Sequence, residues 1–472
     1  MRNVRSRRLG HFETLENRRV LAASIMLDAG DLLIDGDDGS PIDIRALASG
    51  QVQVTVEGGK NDGTSLVETF DGLAGSLRIV LDTAGEDINN NLTIDLSEIS
   101  DTLEDVSVSL GGGTNTLNIV GGSVSNSLVV EGGDGDDMVT IADDVKVGQD
   151  VSLSLGDGTN TATVEGTVEG NLNVLGGDGA DIVSTGEGST VGGSVSLRLG
   201  DGVNTTTVEG TVEGNLNVAG GDGTDTVSTG EGSTVEGSVS LRLGDGENTA
   251  TVEAAVGGNL NVLGGDGTDT VSTGEGSTVG GSVSLRLGDG VNTAVIAGDV
   301  ARELSISGGI DADLVKLLAE ATVGRSALLS LGGGTNTVAL DGIVEGKLQY
   351  SGLEGDDALT FGSTSKVGSN VDIRLSGGDN SVTIAGTIVG DLTVKSSTES
   401  DKVDTTEATI GGDQKTKLGG EKTKIRGAKE SKRGDKESKR GDDEESRNCD
   451  DQQEEESDRS GRKRGLAFGR RQ

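Results

Sequence analysis

Aspartates that could hold a hard cation recur at fixed spacing through most of this chain. They sit in corners of the form Gly-Asp-Gly-x-Asp, as the pairs Asp134/Asp137, Asp178/Asp181, Asp222/Asp225 and Asp266/Asp269. Alternate corners carry Asn in the last place, at Asn160, Asn204 and Asn248. Ca²⁺ is bound by several oxygens, and carboxylates beside turn carbonyls supply that set. The same residues can do something plainer, since Asp and Asn side chains hydrogen-bond nearby backbone and fix turns. Both readings predict that the corners stack. If they do, Asp178, Asp201, Asp222, Asp245, Asp266 and Asp289 lie at coil spacing and repel unless bridged or screened. The expected cofactor is therefore Ca²⁺, with chelation lowering the melting temperature.

Other chemistry is sparse. Glu187, Glu231 and Glu275 recur in Gly-Glu-Gly turns, and Glu165, Glu169, Glu209 and Glu213 lie near neighbouring corners. Paired carboxylates can cleave glycosides, but pairs repeated in every unit mark structure, whereas an active site breaks the repeat. The single histidine, His11, lies near the N-terminus, and no Gly-x-x-x-x-Gly-Lys-Ser/Thr phosphate loop occurs. No catalytic residue is assigned, and a non-enzyme is expected. Arg198, Arg242, Arg286 and Arg374 are predicted to face outward in alternate coils, as charge relief or as a polyanion site, with charge relief preferred. Thr205/Thr207, Thr226/Ser228, Thr249/Thr251 and Thr270/Ser272 form a second outward ladder.

The elements that must position these residues follow from the spacing. Corners begin at Gly156, Gly177, Gly200, Gly221, Gly244, Gly265 and Gly288, in alternating steps of 21 and 23 that make a double repeat of 44. Such periods mean stacked repeats. Ser238-Val239-Ser240-Leu241-Arg242-Leu243 alternates apolar and polar residues, as a half-buried strand does. Three short strands in each coil of roughly 22 residues predict an all-β, right-handed parallel β-helix, a solenoid, with a β-propeller as the chief rival. Aromatic residues are 1% of 472 and Trp is 0, which disfavours a propeller and suits a narrow core of Val, Leu, Ile and Ala. Glycine in the corners lets successive backbones approach, so Gly221→Val should hurt locally.

Residues 1–24 read as an export leader, 25–105 as a cap with degenerate coils, 106–412 as the regular solenoid and 413–472 as a disordered charged tail. The net charge is −40. Positions 1–20 carry six Arg against two Glu and positions 413–472 carry 18 basic against 15 acidic side chains, so the acid is concentrated between them. That surface repels nucleic acid and attracts divalent cations. No apolar run reaches the roughly 18 residues that a membrane-spanning helix requires. Cys449, alone in the tail, permits no internal disulfide.

Leu15-Glu16-Asn17-Arg18-Arg19-Val20-Leu21-Ala22-Ala23 resembles the N-terminal motif of planctomycete extracellular proteins, which implies export to the cell surface or beyond. The segments Gly132–Thr140, Gly176–Ser184, Gly220–Ser228 and Gly264–Ser272 resemble the repeats-in-toxin nonapeptide, Gly-Gly-x-Gly-x-Asp-x-apolar-x. That resemblance implies Ca²⁺ between stacked turns, although here single copies recur once per double repeat instead of following one another. The Thr ladder resembles the ice-binding face of some β-solenoid antifreeze proteins. The expected function is an exported acidic solenoid acting as a structural or adhesive protein of the cell surface or matrix, stabilised by Ca²⁺, with surface polysaccharide or matrix as partner. A β-helical polysaccharide-active enzyme, lyase-like, is the alternative, and an ice-binding surface the third reading.

Overall fold

The computed structural model describes residues 23–419, apart from 29, 37–38, 59–62, 74, 82–87 and 99–102. The leader to residue 22, the tail from 420, His11 and Cys449 lie outside the described residues.

The chain winds as about 15 stacked coils, and the described residues contain no helix. Each regular coil runs through three strands, exemplified by Val195–Gly202, Thr205–Val208 and Thr211–Val212. The next coil repeats them at Leu216–Gly223, Thr226–Thr229 and Thr234–Val235. Every strand of the regular coils pairs in parallel with its counterparts one coil away, so the chain builds three long parallel sheets. Register is strict: Leu216 faces Val239, Val218 faces Leu241, Val227 faces Ala250 and Val235 faces Val256. Those side chains are buried and form one continuous core. A column of corners with parallel neighbours excludes radial blades.

The period-two alternation decides which side chains enter the core. Val239, Leu241 and Leu243 are inside, while Ser240 and Arg242 face out. Small branched residues suffice because each coil contributes only a thin layer. Tyr350 and Phe361 are the two large aromatic exceptions, both buried.

The N-terminal end is built differently. Ala23–Asp28 and Asp31–Gly36 form an antiparallel hairpin, and Ile42–Ala46, Gln51–Val56 and Leu66–Asp71 an antiparallel meander. One strand of each lies parallel on the first coil, through Leu32–Leu77 and Ile42–Leu92 pairing. These turns cover the open edges of two sheets, which would otherwise template association. At the other end the last strand, Gln414–Lys417, presents Lys415 and Lys417, charges that discourage edge-to-edge pairing.

Corner glycines are where coils come closest. A Cβ on Gly221 would stand 2.7 Å from the carbonyl carbon and oxygen of Gly200 in the preceding coil, well inside contact distance. Gly221→Val is expected to loosen the coils on either side of residue 221 while distant coils stay closed. Limited proteolysis should then cut near residues 200–245 in the variant alone; uniform melting of all coils would contradict this.

Candidate functional site

The two aspartates of each corner part company. Asp134, Asp178, Asp222 and Asp266 are exposed, whereas Asp137, Asp181, Asp225 and Asp269 are buried inside the solenoid. The cause is the positive-φ glycine between them, such as Gly179 (φ 139°) or Gly223 (φ 146°). A left-handed residue there turns the chain so that the last residue of the corner points inward.

Inside, Asp and Asn form one ladder. The Asp181 amide donates to Asn204 Oδ1 at 3.0 Å, the Asn204 amide to Asp225 Oδ1 at 3.2 Å, and the Asp225 amide to Asn248 Oδ1 at 2.9 Å. The same chain of bonds continues through Asp269, Asn292, Asp313, Asn336, Asp357, Asn380 and Asp401. At the other end it reaches Asn160, Asp137, Asn115 and Asn90. The rungs at Asn90, Asn115, Asp313, Asn336, Asp357, Asn380 and Asp401 lie outside the assigned set of sites. Their signal was available: all but Asn90, which stands 25 residues before Asn115, keep the coil spacing even where the flanking glycines have changed, as in Ile310-Asp311-Ala312-Asp313.

Alternation of Asp and Asn matches an alternation of backbone. In coils ending in Asn, the first corner glycine has positive φ (Gly156 79°, Gly200 77°, Gly244 76°, Gly288 79°). Its carbonyl accepts from the Asn side chain, at 2.9 Å for Asn160–Gly156 and 3.0 Å for Asn204–Gly200. In coils ending in Asp the corresponding Gly133 turns its amide inward instead, and Asp137 Oδ2 accepts from it at 3.3 Å. A donor side chain therefore stands where the backbone offers a carbonyl, and an acceptor where it offers an N–H.

That pairing is incomplete. Oδ2 of Asp181, Asp225, Asp269 and Asp313 is buried without a hydrogen-bond partner. For Asp181, the carbonyl oxygen of Leu199 in the next coil crowds the same side of Gly176 as Oδ2 does. Burial pushes the carboxyls of Asp137, Asp269 and Asp313 up to about 6, although hydrogen bonds from the neighbouring Asn pull the other way. Asp181, Asp225 and Asp357 are raised for the same first reason.

A Ca²⁺ cage needs six to eight oxygens around one point. Among the described residues no three or more His, Cys, Asp or Glu side chains converge to hold a metal. A corner that ends in Asp sends one carboxylate outward and one inward, and the inward one spends Oδ1 on the ladder; a corner that ends in Asn offers at most one carboxylate, outward. The residues present do not make a cage in this arrangement. The outer carboxylates serve the stack directly: Asp157, Asp201 and Asp245 accept from the amides of Asp178, Asp222 and Asp266 at 2.8–2.9 Å.

Two of the sheets carry regular outward files. On the second sheet, Thr205/Thr207, Thr226/Ser228, Thr249/Thr251 and Thr270/Ser272 stand in register, half-buried. Ser228 donates to Thr207 Oγ1 and Ser272 to Thr251 Oγ1, each at 3.3 Å. On the first sheet Arg198, Arg242, Arg286 and Arg374 are exposed. Glu187, Glu231 and Glu275 are exposed in turns. A groove of about 650 Å³ on the third sheet is lined by Ala255, Gly257, Gly280, Ala301 and Gly324 among others.

No helix among the described residues is long and apolar enough to cross a membrane. No protein-family model matches the chain, and no curated protein matches it. Among solved structures, the chain is similar to a hyperactive, Ca²⁺-dependent, β-helical antifreeze protein from an Antarctic bacterium. Identity is 20% over 61% of this chain and 84% of that one, with a TM-score of 0.35.

Proposed function

We propose that this protein is a non-catalytic structural or adhesive rod of the cell surface or extracellular matrix. The observation that supports this reading is the unbroken Asn/Asp ladder from Asn90 to Asp401. Enzymes on repeat scaffolds place their chemistry where the repeat fails. Here the inward rung survives even in the coils whose corner sequence has drifted, so the repeat itself is what the sequence maintains. At about 4.8 Å per coil, 15 coils hold their ends on the order of 70 Å apart. The planctomycete-type leader and the acidic, cation-attracting surface supply the placement outside the cell. Divalent cations act on this reading as counter-ions to the outer carboxylates, which tolerate them without a fixed cage. The test is immunolabelling of intact cells together with deletion of the gene: surface label and loss of attachment or cell cohesion are expected. Label confined to the cell interior would defeat the reading.

A second reading, ice binding, rests on the two-file hydroxyl array of the second sheet. Parallel register holds its hydroxyl and methyl groups at one repeat along seven coils, from Thr161 to Thr293, with Ile182 and Val295 as the departures. If ice is the ligand, the purified protein shows thermal hysteresis that Thr207→Tyr and Thr251→Tyr abolish without changing the melting temperature. A freezing point that follows the melting point at every concentration rejects it.

A further inference from the structure

We propose that the outer face of the first sheet binds an extended acidic polysaccharide through a row of three arginines, Arg198, Arg242 and Arg286. The proposal rests on the rod reading above, to which it adds a partner and a site.

The face is set apart by charge. The protein as a whole has a net charge of −40. Yet ten successive first-sheet strands, from Val151–Gly156 to Leu348–Gly352, present no acidic side chain outward until they reach the corner. Their outward residues before that point are Ser, Asn, Gln, Leu, Ala and Arg, with no lysine. The strands on either side restore acid, at Glu131 and Asp372. Charge relief would place each arginine against a carboxylate. Among the described residues, the six ion pairs involve Arg45, Lys146, Arg325, Lys347, Lys366 and Lys415, and none of the three arginines.

Register fixes their spacing. One file reads Leu175, Arg198, Ala219, Arg242, Leu263, Arg286, Ser307, each directly paired with the next. Arginines two coils apart stand about 9.6 Å from one another, given strands about 4.8 Å apart. A polysaccharide with one carboxylate or sulfate per disaccharide spaces its charges at this kind of interval. Nucleic acid does not, with a phosphate every ~3.4 Å of strand. Guanidinium pairs with carboxylate or sulfate through two parallel hydrogen bonds, which lysine cannot do.

The rest of the face suits sugar rings. Leu175, beside Arg198, and Leu263, between Arg242 and Arg286, are 49% and 45% exposed, and offer apolar contact to ring C–H groups. A parallel file of Ser196, Asn217, Ser240, Asn261 and Ser284 offers donors and acceptors to hydroxyls. A groove of about 300 Å³ joins two of the arginines with Leu263 and the polar file, lined by Ser240, Arg242, Asn261, Leu263, Ser284 and Arg286. The corner aspartates, Asp201 and Asp222 among them, lie at or beyond the strand ends. Screening over about 8 Å at physiological salt limits their repulsion.

The test is calorimetric titration of the full chain with hyaluronan, which carries one carboxylate per disaccharide, and with neutral dextran. Hyaluronan alone should bind, more weakly as salt rises. Arg198→Gln, Arg242→Gln and Arg286→Gln should each weaken it roughly tenfold with an unchanged melting temperature. Arg374→Gln, beside Asp372, should leave binding intact. No binding by the wild-type protein, equal binding of dextran, or full binding by the triple variant would overturn the proposal. So would self-association lost in the triple variant, which would make a second copy the partner. Chain length of the hyaluronan is followed in parallel: shortening would overturn the non-catalytic reading, a different failure from absent binding.

Discussion

The melting temperature of the solenoid is expected to rise as pH falls from 7 toward 4, the opposite of the usual acid lability. The buried carboxyls of Asp137, Asp269 and Asp313 sit near 6 in the folded chain, against 3.8 as the ordinary value. Between those values the folded state binds more protons than the unfolded one, so stability falls as pH rises through the window and levels off above it. A raised carboxyl costs about 1.4 kcal/mol per pKa unit at neutral pH. Three such groups in a chain of this size shift melting by on the order of 10 °C. The groups facing Asp269 are Asn248 and the Gly265 amide, which favour its charge, and Asp245, which opposes it. Protonation gives Oδ2, buried without a hydrogen-bond partner, a hydrogen to donate. Circular dichroism melts from pH 4 to 8 read the effect. A melting temperature that climbs with pH, in chelator, would show that the inner carboxylates are satisfied as anions. Added Ca²⁺ that reversed the slope would show that corners rearrange to admit the cation.

Asn204→Asp is the single substitution expected to cost most, on the order of 3 kcal/mol, although it alters one atom. The Asn204 side chain donates to Gly200 O and accepts from the Asp181 amide. A carboxylate there sets an anionic oxygen against a carbonyl that positive φ at Gly200 has turned inward. It also makes three successive coils carry buried carboxyls, with Asp181 and Asp225 one coil away on either side. Asn173→Asp, at an exposed position, is the matched control and should be nearly neutral. Hydrogen exchange confined to the coils from Asp181 to Asp225 would locate the damage, because each coil leans only on its neighbours. Equal stability of the two variants would mean that the Asn/Asp alternation carries no backbone preference.

Much of this molecule was legible in one dimension. The alternating short and long steps between corners gave the stack, and alternation within segments such as Val239–Gly244 told which side chains form the core. Strand periodicity transmits orientation because successive side chains must point to opposite faces. The antiparallel cap was harder to foresee: its strands alternate as the coils do, and nothing in that pattern states the direction in which strands meet.

At the corners the one-dimensional reading stops. Asp178 and Asp181 are near neighbours of one type, so residue type alone proposes both as ligands of a single ion. The positive-φ turn at Gly179 sends one to solvent and the other to the ladder. Sequence determined that Asp and Asn alternate every coil. Only the tertiary structure decided what the alternation does, because Gly200, with positive φ, turns its carbonyl inward, whereas Gly133, without it, turns its amide inward, and glycine permits both backbones. The arginines divide in the same way: their recurrence once per double repeat is written in the chain, whereas their freedom from carboxylate partners depends on which coils and which face the winding brings beside them.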